Sequence, residues 1–166
     1  WQANGVDING ATASTYVLAE AQVGSAITVV ASYTDLHGTA ELAASSATAT
    51  VANVNDAPTG SVTITGTATQ GQILSATNDL ADAAGMGVIS YQWQADGANI
   101  NGATGNTYTL TQAEVGKTIT VLAGYTDGYG TAESVASAAT AAIANINDAP
   151  IGTVTITGTA AQGQTL

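Results

Sequence analysis

The stretch Val88-Ile89-Ser90-Tyr91-Gln92-Trp93-Gln94, followed by Ala95 and the dipeptide Asp96-Gly97, decides the fold. Apolar and polar side chains alternate along it, which is the period of a strand with one buried face. Asp-Gly then supplies the left-handed backbone that a two-residue hairpin requires. On the N-terminal side, Ser61-Val62-Thr63-Ile64-Thr65 alternates in the same way, and Ile73-Leu74-Ser75-Ala76-Thr77 follows Gln70-Gly71-Gln72. A loop with Asn78, Asp79, Asp82 and Gly85 leads into the Trp93 strand. On the C-terminal side, Asn101-Gly102 is a second hairpin-turn dipeptide, ahead of a strand at Thr107-Tyr108-Thr109-Leu110-Thr111. Gln112–Gly116 reads as a helical turn or corner. Thr118–Leu122 runs on to Tyr125, and Asp127-Gly128-Tyr129-Gly130 turns the chain back. The Ala-rich segment Thr131–Ile146 has a helical competitor, because alanine favours helix. Strand is expected instead, since Val135, Ser137, Ala139, Ala141 and Ile143 fall on one alternating face.

Shifted by 92 positions, the chain lies on itself without a gap. Of the 74 overlapping positions 49 are identical, so the chain is an array of like units. The joints are Asn53-Val54-Asn55-Asp56-Ala57-Pro58 and Asn145-Ile146-Asn147-Asp148-Ala149-Pro150, where proline holds the backbone extended. The expected domains are 1–55, the C-terminal part of one repeat; 56–147, a complete repeat; and 148–166, the N-terminal strands of the next. About seven short antiparallel strands per period indicate an all-β fold, a tandem array of β-sandwiches.

Composition removes several functions. One lysine stands against twelve Asp and Glu, for a net charge of −11. Nucleic-acid binding needs a basic face that this chain cannot build. Attraction to anionic lipid fails for the same reason, and no apolar run is long enough for membrane insertion. The absence of Cys removes thiol chemistry, thiolate metal sites and disulfides.

Two resemblances follow from these residues. The order of strands, with Trp93 at the core-tryptophan position, resembles an immunoglobulin-like domain whose cysteines are replaced by apolar residues. The Asn-Asp-Ala-Pro joints, the Tyr91-Gln92-Trp93-Gln94 strand and Tyr125–Ser134 resemble the tandem repeats of giant bacterial surface adhesins: biofilm-associated proteins and the extender regions of adhesins exported by type I secretion. That resemblance covers essentially the whole chain. It implies an extracellular protein at the bacterial cell surface, working as a non-catalytic shaft.

Candidate chemistry is sparse. The only His is His37, replaced by Tyr129 in the other copy, and the unit 56–147 has no His, Cys or Arg. A nucleophile would lack its base, so no enzyme is expected. Asp79 and Asp82 share a loop without a visible cleft. Calcium is the more concrete candidate. In an immunoglobulin-like sandwich the loop carrying Asp79 and Asp82, the hairpin carrying Asp127 and the linker residues Asn55 and Asp56 share one pole. Glu133 sits just beyond, and Glu20 of the preceding unit faces it. Carboxylate and amide oxygens of this kind suit calcium. The joint also resembles the calcium-carrying cadherin linker, though with fewer acidic residues. The competing reading is that each Asp or Asn caps its own turn. Trp1 and Trp93 read as core, not as ligand platforms, because both lie in alternating strands.

Residues 1–55 lack the front strands that close a sandwich. Those strands are expected either from further chain or from residues 148–166 of a neighbouring copy, by strand addition. The partners are therefore neighbouring repeats of the same chain or identical chains. The expected role is an extender shaft. A self-assembling filament or sheath, and a module binding surface glycan or protein through its pole loops, are the alternatives.

Overall fold

The structure is a computed structural model that describes all 166 residues. The first repeat contains five short strands: β1 (Gln2–Ala3), β2 (Val6–Asp7), β3 (Ile27–Thr28), β4 (Val30–Thr34) and β5 (Ala40–Ala44). β1 pairs antiparallel with both β2 and β3, and β4 pairs with β5. The β1–β2 turn places Asn4 at φ 49° and Gly5 at φ 79°, the backbone that favours Asn-Gly here.

The second repeat adds β6 (Val62–Thr65), β7 (Ile73–Asn78), β8 (Ser90–Ala95), β9 (Ala98–Asn99), β10 (Thr107–Thr109), β11 (Ile119–Thr126) and β12 (Ala132–Ala136). They form two antiparallel sheets, ordered β10-β7-β6 and β12-β11-β8-β9. Asp96 (φ 47°) and Gly97 (φ 80°) close the β8–β9 hairpin. Asn101-Gly102 differs from expectation. It turns the chain but links no ladder, and instead carries it from β9 in one sheet to β10 in the other.

The inward side chains of the two sheets meet in one cluster. Val62, Leu74 and Ala76 from one sheet pack with Trp93, Ile119, Val121 and Ala123 from the other, closed by Leu110, Ala103 and Ile143. The fold is thus β-sandwich-like, with alternation along β11 deciding which residues face in. Trp93 is fully buried. Its indole N–H donates to the Gly105 carbonyl at 2.8 Å, and its ring lies 5.9 Å from Tyr108. Trp1 repeats the arrangement with Ala13 at 2.9 Å and Tyr16 at 6.2 Å.

The corner Gln112–Glu114 is a 3-10 turn with a reciprocal cap. Ala113 donates to the Thr111 hydroxyl at 3.2 Å, and Thr111 N–H donates back to Glu114 at 2.8 Å.

The Ala-rich segment is extended, as expected, but its inward residues do not alternate throughout. Ser137 and Ile143 are buried and Thr140 half-buried, whereas Ala139 and Ala141 are exposed. Ser137, Thr140 and Ile143 donate backbone hydrogen bonds to Val121, Ile119 and Lys117. Three residues on this segment thus span two on β11, a run of bulges. The hydroxyls repair the ladder, since Val121 N–H donates to Ser137 Oγ and Ile119 N–H to Thr140 Oγ1, both at 3.0 Å. Ser45 and Thr48 do the same for Val29 and Ile27.

Residues 148–166 form no strand, contrary to expectation, and are exposed throughout. In the first repeat the face that β6 and β7 cover in the second lies open. Leu18 is 49% exposed where Leu110 is 1%. No helix is long and apolar enough to cross a membrane.

Candidate functional site

Three segments meet where the first repeat hands over to the second: a 3-10 turn at Glu20–Gln22, the linker 53–58, and the β11–β12 hairpin. The linker is held down by Asn55, whose Nδ2 donates to Glu133 Oε1 at 2.6 Å. The turn is held by its own cap, Ala19 N–H donating to Gln22 Oε1 at 3.1 Å. The hairpin is held by Asp127, whose Oδ1 accepts the amides of Tyr129 and Thr131 at 2.9 and 2.6 Å. Asp35 makes the same cap in the first repeat, accepting from His37 and Thr39 at 2.8 Å each. Gly128 lies against the loop before β8 and donates to the Ala84 carbonyl at 3.1 Å. A Cβ there would collide with that oxygen, which is a packing reason for glycine.

Of the six residues singled out from sequence, Asn55 and Glu133 are in contact, and Asp127 stands in the same hairpin as Glu133. Asp82 turns one oxygen to Ala84 N–H at 2.8 Å and the other to the Tyr125 hydroxyl at 2.6 Å. Asp79 turns away to β6, accepting Ser61 N–H at 2.7 Å and its hydroxyl at 2.9 Å. Asp56 is exposed beside a cleft of about 450 Å³ that Leu18, Glu20, Val51 and Val54 also line. No group of three or more His, Cys, Asp or Glu side chains converges as metal ligands would. Asp82 and Asp127 each cap their own turns, whereas Asp79 binds Ser61 just before β6.

The electrostatics agree with this capping. Ser61's amide and hydroxyl hold Asp79 below the usual carboxylate range. Burial pushes Asp127 up, but the Thr131 and Tyr129 amides outweigh it and its carboxyl titrates low. Burial first, then the Asp82 hydrogen bond and the Asp82, Glu133 and Asp127 charges, push the Tyr125 phenol up to about 12. The Tyr129 phenol is raised chiefly by a hydrogen bond to Glu20, across the joint, then by burial and by the Glu20 and Asp127 charges.

No known protein family, curated protein or solved structure matches this chain. The site must therefore be read from its own chemistry.

Sequence reasoning missed Asn53. Its Oδ1 is buried without a hydrogen-bond partner, as are Glu20 Oε1 and Asp127 Oδ2. These three are the chain's complete set of such side-chain oxygens, and all belong to the segments that meet at the joint. Asn53 carries no sequence signal of this, because amide oxygens in a linker look like ordinary turn formers.

Proposed function

We propose that the chain is part of an extracellular shaft: immunoglobulin-like repeats joined head to tail that act through length and stiffness, without catalysis. The observation that carries this reading is the 92-residue repeat, identical at 49 of 74 overlapping positions, together with a joint built from specific contacts. Asn55 donates to Glu133 across 78 residues of sequence. At the next joint Ile146 N–H donates to Gln70 Oε1 at 3.1 Å, and Gln70 Nε2 donates to Asp148 at 3.3 Å. Such contacts restrict the angle between neighbours, as an array requiring reach needs. The sheet orders β10-β7-β6 and β12-β11-β8-β9 support the immunoglobulin-like assignment. The acidic composition favours repulsion between molecules.

Small-angle scattering tests this reading. The shaft predicts an elongated particle whose length is fixed by repeat number at all concentrations. A compact particle contradicts it.

A further inference from the structure

We propose that the complete repeat carries a load-bearing clamp: residues 68–70 and 143–146 lie side by side in parallel and resist tension along the array, and Gln70 is the side chain that locks them. This rests on the shaft reading and deepens it, adding resistance to pull.

Tension along an array enters the complete repeat through the linker 53–58 and leaves through 145–150. The two ends of that path are tied to each other within the repeat. Thr69 and Ala144 form a parallel bridge, in which Ala144 N–H donates to the Ala68 carbonyl and Gln70 N–H to the Ala144 carbonyl, both at 2.9 Å. Parallel strands pulled from opposite ends slide past each other, so the hydrogen bonds between them bear the load together. An antiparallel pair pulled at two adjacent ends opens one bond at a time. Hydrogen bonds that are individually modest therefore resist more in the first arrangement.

Gln70 extends the clamp beyond the backbone. Its Oε1 accepts Ile146 N–H at 3.1 Å and its Nε2 donates to Asp148 at 3.3 Å, so one side chain grips the outgoing linker on both sides of Asn147. The outgoing segment is held on its other flank as well. Ile143 bridges Val115 in parallel, accepting from Gly116 N–H and donating to the Lys117 carbonyl at 2.9 Å each. Its side chain is buried in the core. Drawing Ile143 out breaks hydrogen bonds and exposes apolar surface in one step. The parts recur with the period: Val51 makes the same parallel bridge to Val23 in the first repeat, and Gln162 stands where Gln70 does.

Single-molecule stretching of the 166-residue chain tests this. The chain has no Cys, so two introduced cysteines fix where force enters. Ala57→Cys with Ala149→Cys pulls along the array. Ala57→Cys with Ala81→Cys pulls β6 from β7 at adjacent ends, beside the antiparallel Thr59–Ala81 bridge. At one pulling rate the first direction should need roughly twofold more force or greater, since forced unfolding reports the unfolding barrier. Gln70→Ala should lower the force along the array and leave the other direction unchanged, whereas a change that only destabilised the fold would lower both. Equal forces in the two directions, or a Gln70→Ala force along the array equal to the parent's, would overturn the clamp. Should circular dichroism show Gln70→Ala unfolded, the two directions in the parent decide. A failed clamp leaves the shaft standing, since scattering measures its length without load.

Discussion

At the scale of single residues, the account rests on a few side chains that are both buried and satisfied. Trp93 fills the centre of the core and uses its one donor on Gly105. Trp93→Ala should cost about 3–5 kcal/mol, through a cavity and a carbonyl left without its donor. Urea unfolding monitored by circular dichroism measures this, and a near-neutral result would put the ring outside the core. Glu114 makes a prediction about acid. Burial pushes its carboxyl up, but the Thr111 hydroxyl and amide, the Tyr108 hydroxyl and Lys117 outweigh it, so the folded carboxyl titrates below the usual glutamate value. A depressed folded pKa contributes stability that is complete above the unfolded value of about 4.3 and is lost as pH falls through the folded value. Melting temperature should therefore hold between about pH 5 and 7 and drop below about pH 4. Glu114→Gln should be less stable at neutral pH and fall less steeply. An unchanged acid slope in that variant would remove Glu114 as a contributor.

At the scale of elements, strand positions were legible because periodicity and turn chemistry are local. Ser90–Ala95 reads directly from its alternation, and Asp96-Gly97 from the backbone it permits. The segment after β12 was only half legible. Its extended form could be read, but its inward set could not, since Ala139 and Ala141 alternate as convincingly as Ser137 and Thr140. What selects the hydroxyls is the pairing with β11, where bulges leave Val121 and Ile119 amides needing side-chain acceptors. Ser137→Ala should cost about 1–3 kcal/mol, because the buried Val121 N–H loses its acceptor Oγ. Thermal or denaturant melts check this. A change below a few tenths would mean that the Ser137 hydroxyl contributes nothing to the ladder.

The joint was legible in location and not in detail. The pole loops and linker were identified from turn residues and proline, and Asn55, Asp127 and Glu133 do stand there. Asp79 and Asp82 belong to the same loop but satisfy themselves at Ser61, Ala84 and Tyr125. Which oxygens remain unpaired depends on contacts between segments far apart in sequence, such as Glu20 with Tyr129. No spacing rule reports such contacts. Loop chemistry predicts that an Asp will cap a turn, but not that its second oxygen will be buried without a partner.

At the scale of the whole molecule, the repeat sets the function proposed. The complete repeat has its own core, and the repeat before it meets it through polar contacts of the linker and hairpin, not through a merged interior. Size should then grow along one axis as units are added. Scattering from polypeptides of three and six consecutive repeats tests this most directly. The account predicts that the radius of gyration nearly doubles between them, independent of concentration. A rise of only about 1.3-fold, as expected for repeats packed into one compact body, would contradict it.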